Sequence, residues 1–186
     1  RLDRADITKF FGSGGGRGTR TVASYDEDTT SMGVEAARVA LRSVDPATRV
    51  DSLWFATTSP SYADKTNATT IHAALRLDGD VPAVDMNGAV RSAVGALRMA
   101  LAFGAGNALV VAGDIRLGLP TSADEAEGGD GASAVLIGDG SSGAVIAELI
   151  GSATATEEFT DRWRVPGATR SKLWEERFGE VAYTGL

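Results

Sequence analysis

The apolar and polar positions divide the chain into alternating helices and strands. Residues 52-SLWFATTS-59 and 107-NALVVAGDI-115 are short, nearly unbroken apolar runs, which predict strands covered on both faces. A shorter run, 81-VPAVDM-86, predicts another. Between them the spacing turns helical. Over 25–43 it places Met32, Ala36, Val39 and Ala40 on one face, with Thr29, Thr30 or Ser31 as the cap and acidic residues just before it. Residues 67–77 predict a helix capped by Asn67, and 90–104 a helix so uniformly apolar that it should be buried all round. Residues 132–155 read as two strands of a hairpin, with Asp139-Gly140 in the turn at 138–143. The first eleven residues predict one short helix, and 12-GSGGGRG-18 a loop. An acidic, solvated loop is expected at 120–131. The stretch 156–186 reads as an irregular tail with a short helix near 171–178.

Strands alternating with helices imply right-handed crossovers and a mostly parallel sheet covered on both sides, an α/β architecture. Residues 1–155 form the expected body and 156–186 the tail. With 186 residues the chain suffices for one domain with a real core, or for half of a two-domain protein. It opens on Arg1 rather than Met, so it is expected to begin upstream.

Composition then removes several chemistries. There is no cysteine and a single histidine, His72, so disulfides, thiolate sites, His-rich metal sites and a cysteine nucleophile are all excluded. A net charge of −7 does not draw the chain to nucleic acid or anionic membranes. No apolar run reaches membrane-spanning length and no leader is visible, so the expected location is cytoplasmic.

Candidate chemistry concentrates in 84-VDMNGAVRSAVGALRMALAFGAGNALVVAGDI-115. A strand ends in Gly88-Ala89 and runs directly into an apolar helix, the kind of corner that often carries a nucleophile, yet Val90 has none. Taken alone, Val90 is a packing residue, Ser92 a first-turn polar group and Tyr62 a rim aromatic. Thr58 is a strand-end hydroxyl, and His72, beside Ile71 and Leu75, a packed or half-exposed helix residue rather than a base. The Gly-rich loop lacks the Lys and Ser/Thr of a P-loop and the preceding strand of a dinucleotide fingerprint. Arg17, Arg20, Arg162 and Arg164 are candidate partners for phosphate in an otherwise acidic chain, and the acids Asp124, Glu125, Glu127 and Asp130 do not have calcium-loop spacing.

Four stretches in order, 25-YDEDTTSMGVEAA-37, 62-YADKTNATTIHAAL-75, 85-DMNGAVRSAVGAL-97 and 129-GDGASAVLIGD-139, together with 161-DRWRVPG-167 and 174-WEERFGEVAY-183 in the tail, resemble the N-terminal half of the thiolase superfamily. The likeness is to its 3-hydroxy-3-methylglutaryl-CoA synthase and β-ketoacyl synthase III branch. It implies a βαβαβαββ half around a five-stranded mixed sheet, its first strand central and lying just upstream of Arg1. It implies a coenzyme A thioester as substrate, with the four arginines as candidate binders of its phosphates, and no resident cofactor or metal. It further implies a homodimer, or a hetero-oligomer with a second thiolase-like half or with a zinc-ribbon/OB-fold module.

In this family a cysteine at the corner attacks the thioester and a glutamate acts as base. The resemblance places Val90 at the first position and Thr58 at the second. The Val90 N–H, shaped by Gly88 and Ala89, would keep the oxyanion hole. Three readings stay open. One is a cysteine-independent enzyme making or breaking a C–C bond, with Tyr62 and Ser92 as the nearest polar candidates. The second is an inactive subunit that binds acyl-CoA or a partner. The third is a condensing enzyme whose cysteine was mutated.

Overall fold

A computed structural model describes residues 1–12, 16–104, 106–174 and 176–185. Chain order is β1 (Leu2–Asp3), α1 (Arg4–Phe11), β2 (Thr19–Arg20), α2 (Thr29–Leu41), β3 (Ser52–Thr57), α3 (Ala68–Leu75), β4 (Ala83–Asn87), α4 (Ser92–Phe103), β5 (Ala108–Asp114), α5 (Ala123–Glu127), β6 (Gly131–Ile137), β7 (Arg162–Trp163), β8 (Lys172–Leu173) and α6 (Glu176–Thr184). The architecture is α/β, built on a mixed sheet of order β4-β3-β5-β6. β3 pairs parallel with β4 and β5, and β6 runs antiparallel to β5.

The alternation of side chains along β3 and β5 explains both layers. Leu53 and Phe55 of β3, with Leu109 and Val111 of β5, face α2 and α3 and meet Val34, Ala37, Ala68 and Ile71. Ala56, Ala108 and Val110 face the other way and meet Ala96 and Ala100 of α4. Small residues on that second face let α4 lie close to the sheet. On the first face Gly33 does the same for α2, since a Cβ there would stand 3.1 Å from Val111 and 3.2 Å from Ile71.

The sheet has four strands among the described residues, where the resemblance implies five. It also leaves no room for a central first strand, because β3 and β5 are hydrogen-bonded neighbours. The second strand of the expected hairpin does not form: beyond Ile137 the chain turns at Gly140 (φ 85°), and 144–155 carries no strand. Ile146 and Ile150 there are almost fully exposed, so that segment's apolar pattern has no surface to pack on.

Two helices differ from expectation in the face they bury. α2 buries Thr30, Gly33, Val34 and Ala37, whereas Val39 is 60% exposed. α4 is not buried all round; only Ala96 and Ala100 are, and Val94, Leu97, Met99 and Leu101 remain open. The acidic loop is a pinned short helix, α5. The tail is more ordered than expected, with a β7–β8 pair and a helix starting at 176, five residues later than expected. Of the Gly-rich loop, Ser13, Gly14 and Gly15 lie outside the described residues.

α2 starts on a capping box that moves the expected cap one residue back. The Asp28 carboxylate accepts from the Ser31 N–H at 2.7 Å, and the Ser31 hydroxyl caps the Asp28 N–H in return at 2.9 Å. Burial raises the Asp28 pKa, but hydrogen bonds from Ser31 and Ser61 outweigh it and hold the carboxyl below its ordinary 3.8. A depressed folded pKa gives stability that is present above the unfolded value and lost as pH falls through the folded one. Asp28→Ala is therefore expected to cost about 1 kcal/mol near neutral pH. That cost should shrink below about pH 4 as the wild-type carboxyl titrates, which urea denaturation of both chains across pH 2–7 would check.

Candidate functional site

The carboxyl ends of the parallel strands β3, β4 and β5 converge on one depression of about 360 Å³. Ligands in open α/β sheets bind at such strand ends. Ala56, Thr57 and Thr58 line it from β3; Ala89, Val90 and Ala93 from the corner; Ala112, Gly113 and Asp114 from β5; and Gly131, Ala132 and Ser133 from β6.

The corner is set by Gly88, at φ 112°, a conformation that an L side chain adopts only under strain. Its N–H donates to the Thr57 carbonyl at 3.3 Å, which carries the β3–β4 pairing one residue beyond the strand. The chain then turns through Ala89, Val90 and Arg91 before α4 begins at Ser92, two residues later than expected. The Val90 side chain is 54% exposed, and its N–H has no hydrogen-bond partner among the described residues. Ser92 serves the turn: its hydroxyl accepts from the Ala89 N–H at 3.3 Å. Neither Ser92 nor Tyr62 lines the depression. Tyr62 is 57% exposed and sits under the Lys65 ammonium, 5.7 Å from the ring centre.

Sequence reasoning missed the polar centre of the site, Asp114. One of its carboxylate oxygens accepts from the Thr58 N–H (2.6 Å), the Thr58 hydroxyl (3.0 Å) and the Thr57 hydroxyl (3.2 Å). The other faces Arg116 at 3.4 Å. The available signal was an acid closing the buried run VVAGD, which puts a carboxylate at the carboxyl edge of the sheet. Thr58, just past the end of β3, has a hydroxyl that bonds this acid rather than the local backbone.

The four arginines are not gathered at an open phosphate site. Arg20 is 6% exposed and binds the Glu125 carboxylate at 2.9 Å together with the carbonyls of Glu125 and Arg116. Arg162 grips both oxygens of Asp124, at 3.0 and 2.6 Å. That contact, against burial, holds the Asp124 carboxyl below its ordinary range. Arg164 donates to the Thr58 carbonyl, and Arg17 is exposed on the loop. Asp130 accepts from the N–H groups of Ala23 and Arg116. Two of the acids read as solvated, Asp124 and Glu125, are thus internal partners of these cations. His72 is tied to the Asp78 carbonyl at 3.0 Å, far along the chain from the corner.

Among the described residues no helix is long and apolar enough to cross a membrane.

The sheet order, the glycine corner and the depression at the strand ends define a thiolase-like α/β fold. PksG, a 3-hydroxy-3-methylglutaryl-CoA synthase from Bacillus subtilis, superimposes with a TM-score of 0.81 at 22% identity, over 99% of this chain and 48% of its own. MvaS in complex with 3-hydroxy-3-methylglutaryl coenzyme A gives 0.79 at 24% identity, over 99% and 47%. A 3-oxoacyl-(acyl-carrier-protein) synthase III gives 0.61 at 22%, over 80% and 47%. In sequence, the hydroxymethylglutaryl-CoA synthase of Pyrococcus furiosus is 34% identical over 170 residues, which is 88% of this chain and 48% of the relative. That of Aeropyrum pernix is 35% identical over 170 residues, 88% and 46%. No family model matches. The chain is similar along most of its length to hydroxymethylglutaryl-CoA synthases, and its fold is the thiolase-like one that the synthase III structure shares. It spans about half the length of the curated relatives it matches.

Proposed function

We propose that the chain handles an acyl-CoA thioester at the β4–α4 corner without a cysteine nucleophile, as the N-terminal half of a C–C bond-forming or bond-cleaving enzyme. The observation that carries this is that Val90, whose N–H is unpartnered among the described residues, and Asp114 both line one depression. The N–H supports a thioester oxygen as it gains charge. Asp114, oriented by Thr58, handles the proton. For a β-hydroxyacyl thioester the β-hydroxyl proton passes to Asp114, the Cα–Cβ bond breaks to a carbonyl and an enolate, and the enolate oxygen rests on the Val90 amide. This replaces Tyr62 and Ser92 as the nearest polar candidates, since neither lines the depression. Two relatives are solved with coenzyme A or its hydroxymethylglutaryl thioester, which supports the substrate class.

In this reading residues 1–155 are the thiolase-like body, 156–186 lead toward a second thiolase-like half, and the protein is cytoplasmic. That half covers the open face of α4 and supplies the remaining polar groups. A zinc-ribbon/OB-fold partner has no support among the residues described.

The test is calorimetric titration of acetyl-CoA and a β-hydroxyacyl-CoA, followed by a turnover assay on the chain joined to its second half. Binding with turnover is expected, and Gly88→Val should weaken binding at least about tenfold, because a β-branched residue at positive φ distorts the corner by about 1–3 kcal/mol. Asp114→Asn should keep binding and lose turnover. Binding without turnover in the wild type selects a second reading, an inactive acyl-CoA-binding subunit, which the absence of cysteine from the whole chain favours. A covalent acyl adduct on a Val90→Cys variant, seen by mass spectrometry, would select a condensing enzyme altered at that position. No binding of any acyl-CoA sinks the proposal.

A further inference from the structure

We infer that Arg164 is a positioning residue, through which the tail fixes the Thr58 peptide and, with it, the Asp114 carboxylate of the depression. Arg162 in β7 and Arg164 just past it both reach the body, one at Asp124 and the other at Thr58. The strand that presents them is held within the tail. β8 pairs with it, the Trp174 N–H donates to the Asp161 carbonyl at 2.8 Å, and the Tyr183 hydroxyl reaches the Asp161 carboxylate at 3.3 Å. Trp174 stacks on Phe178 with centroids 4.9 Å apart, and Phe159 meets Tyr183 edge-on at 5.1 Å. The tail is thus a small ordered unit presenting two cations to the body.

Each cation takes a different hold. Arg162 chelates Asp124 and anchors the tail to α5. Arg164 donates to the carbonyl of Thr58, which no other donor reaches among the described residues. The N–H of that same residue is the shortest bond to Asp114, at 2.6 Å, and its hydroxyl supplies another at 3.0 Å. Thr58 is therefore gripped by a guanidinium on one side and a carboxylate on the other. Charge-assisted bonds are the stronger kind and the more directional. With Arg164 gone, the residue just past the end of β3 loses its outer tether, and the carboxylate it orients gains freedom while the sheet below keeps all its pairing.

This inference concerns the depression assigned above as the working site, and its experiment needs no ligand. Native-state amide exchange is measured on the 186-residue chain and on Arg164→Met, Arg164→Lys and Arg162→Met. In Arg164→Met the Thr58 and Ser59 amides are expected to exchange about tenfold faster, as loss of one charge-assisted bond implies. Leu53, Phe55 and Val111 should keep wild-type rates. Arg164→Lys, which retains a donor of one charge, should restore part of the protection. Arg162→Met should instead release the amides of α5. Unchanged Thr58 exchange in Arg164→Met overturns the inference, and so does a uniform rise across β3 and β5, which would make the contact one of general stability. Failure of the wild-type chain to bind acyl-CoA would count against the proposed function and leave the exchange result standing.

Discussion

Asp85→Ala is expected to lower the stability of the chain by about 3 kcal/mol, because one carboxylate serves three donors at the start of α3. The Asp85 oxygens accept from the Asn67 N–H at 2.7 Å, the Asn67 side-chain amide at 3.0 Å and the Ala68 N–H at 2.7 Å. Asn67 and Ala68 are fully buried, so water does not replace the lost acceptor. Unpaired buried donors cost about 1–3 kcal/mol each without adding fully, and a negative charge at a helix N-terminus is lost as well. The damage reaches the loop after Thr58, since Asn67 also binds both main-chain polar groups of Tyr62, at 3.0 Å each. Asp85→Asn, with one acceptor left, should lose about half as much. Urea denaturation would show the Ala variant's midpoint lowered by more than about 1 M at an ordinary slope near 2 kcal/mol/M. A loss under about 1 kcal/mol would mean that solvent reaches these donors.

Asp85 also marks where the sequence stops being readable. Asn67 precedes an apolar helical stretch and reads as its cap, yet it sits in helical conformation (φ −71°, ψ −34°), and its side chain makes no cap bond. The acceptor comes from a strand eighteen residues later, which no local pattern encodes. β3 and β5 were legible because they are buried on both faces, and a doubly buried strand must be apolar along its whole length. The segment 144–150 carries the same apolar signal but has no neighbouring strand, so propensity alone does not make it one. α2 shows a finer limit. Met32, Ala36, Val39 and Ala40 lie on a neighbouring stripe to the buried Gly33, Val34 and Ala37, and only the docking geometry separates the two.

The site divides along the same line. The corner was legible because a glycine there is a backbone requirement, and φ 112° at Gly88 is that requirement met. The resemblance directed attention to Val90 and Thr58, and both line the depression. Asp114, Arg116 and the internal pairing of Arg20 and Arg162 were not legible. An arginine in a sequence is only a charge until its partner is placed, and these partners lie 105 and 38 residues away. Two of the acids read as a solvated loop and two of the cations read as phosphate binders pair with one another, Glu125 with Arg20 and Asp124 with Arg162.

The uniform apolarity of α4 carries a second expectation. Val94, Leu97 and Leu101 recur at helical spacing along α4, with exposures of 49, 36 and 41%. Such a stripe is a covered surface in the proposed assembly, where a second thiolase-like half lies against it. Leu97→Asp tests this by acting oppositely in two states. In the 186-residue chain alone the new carboxylate points to water, and stability by urea denaturation should stay within about 0.5 kcal/mol of wild type. Against the second half the same carboxylate is buried without a partner. Association should then weaken at least about 100-fold, since burying an unpaired charge costs several kcal/mol. Sedimentation of the wild-type and Leu97→Asp chains mixed with the second half separates the outcomes. A variant that assembles as tightly as wild type would place α4 outside the interface. The apolar side of the helix would then need another cover, and the corner at its head would stand open to solvent, where a thioester oxygen gains little from a single amide.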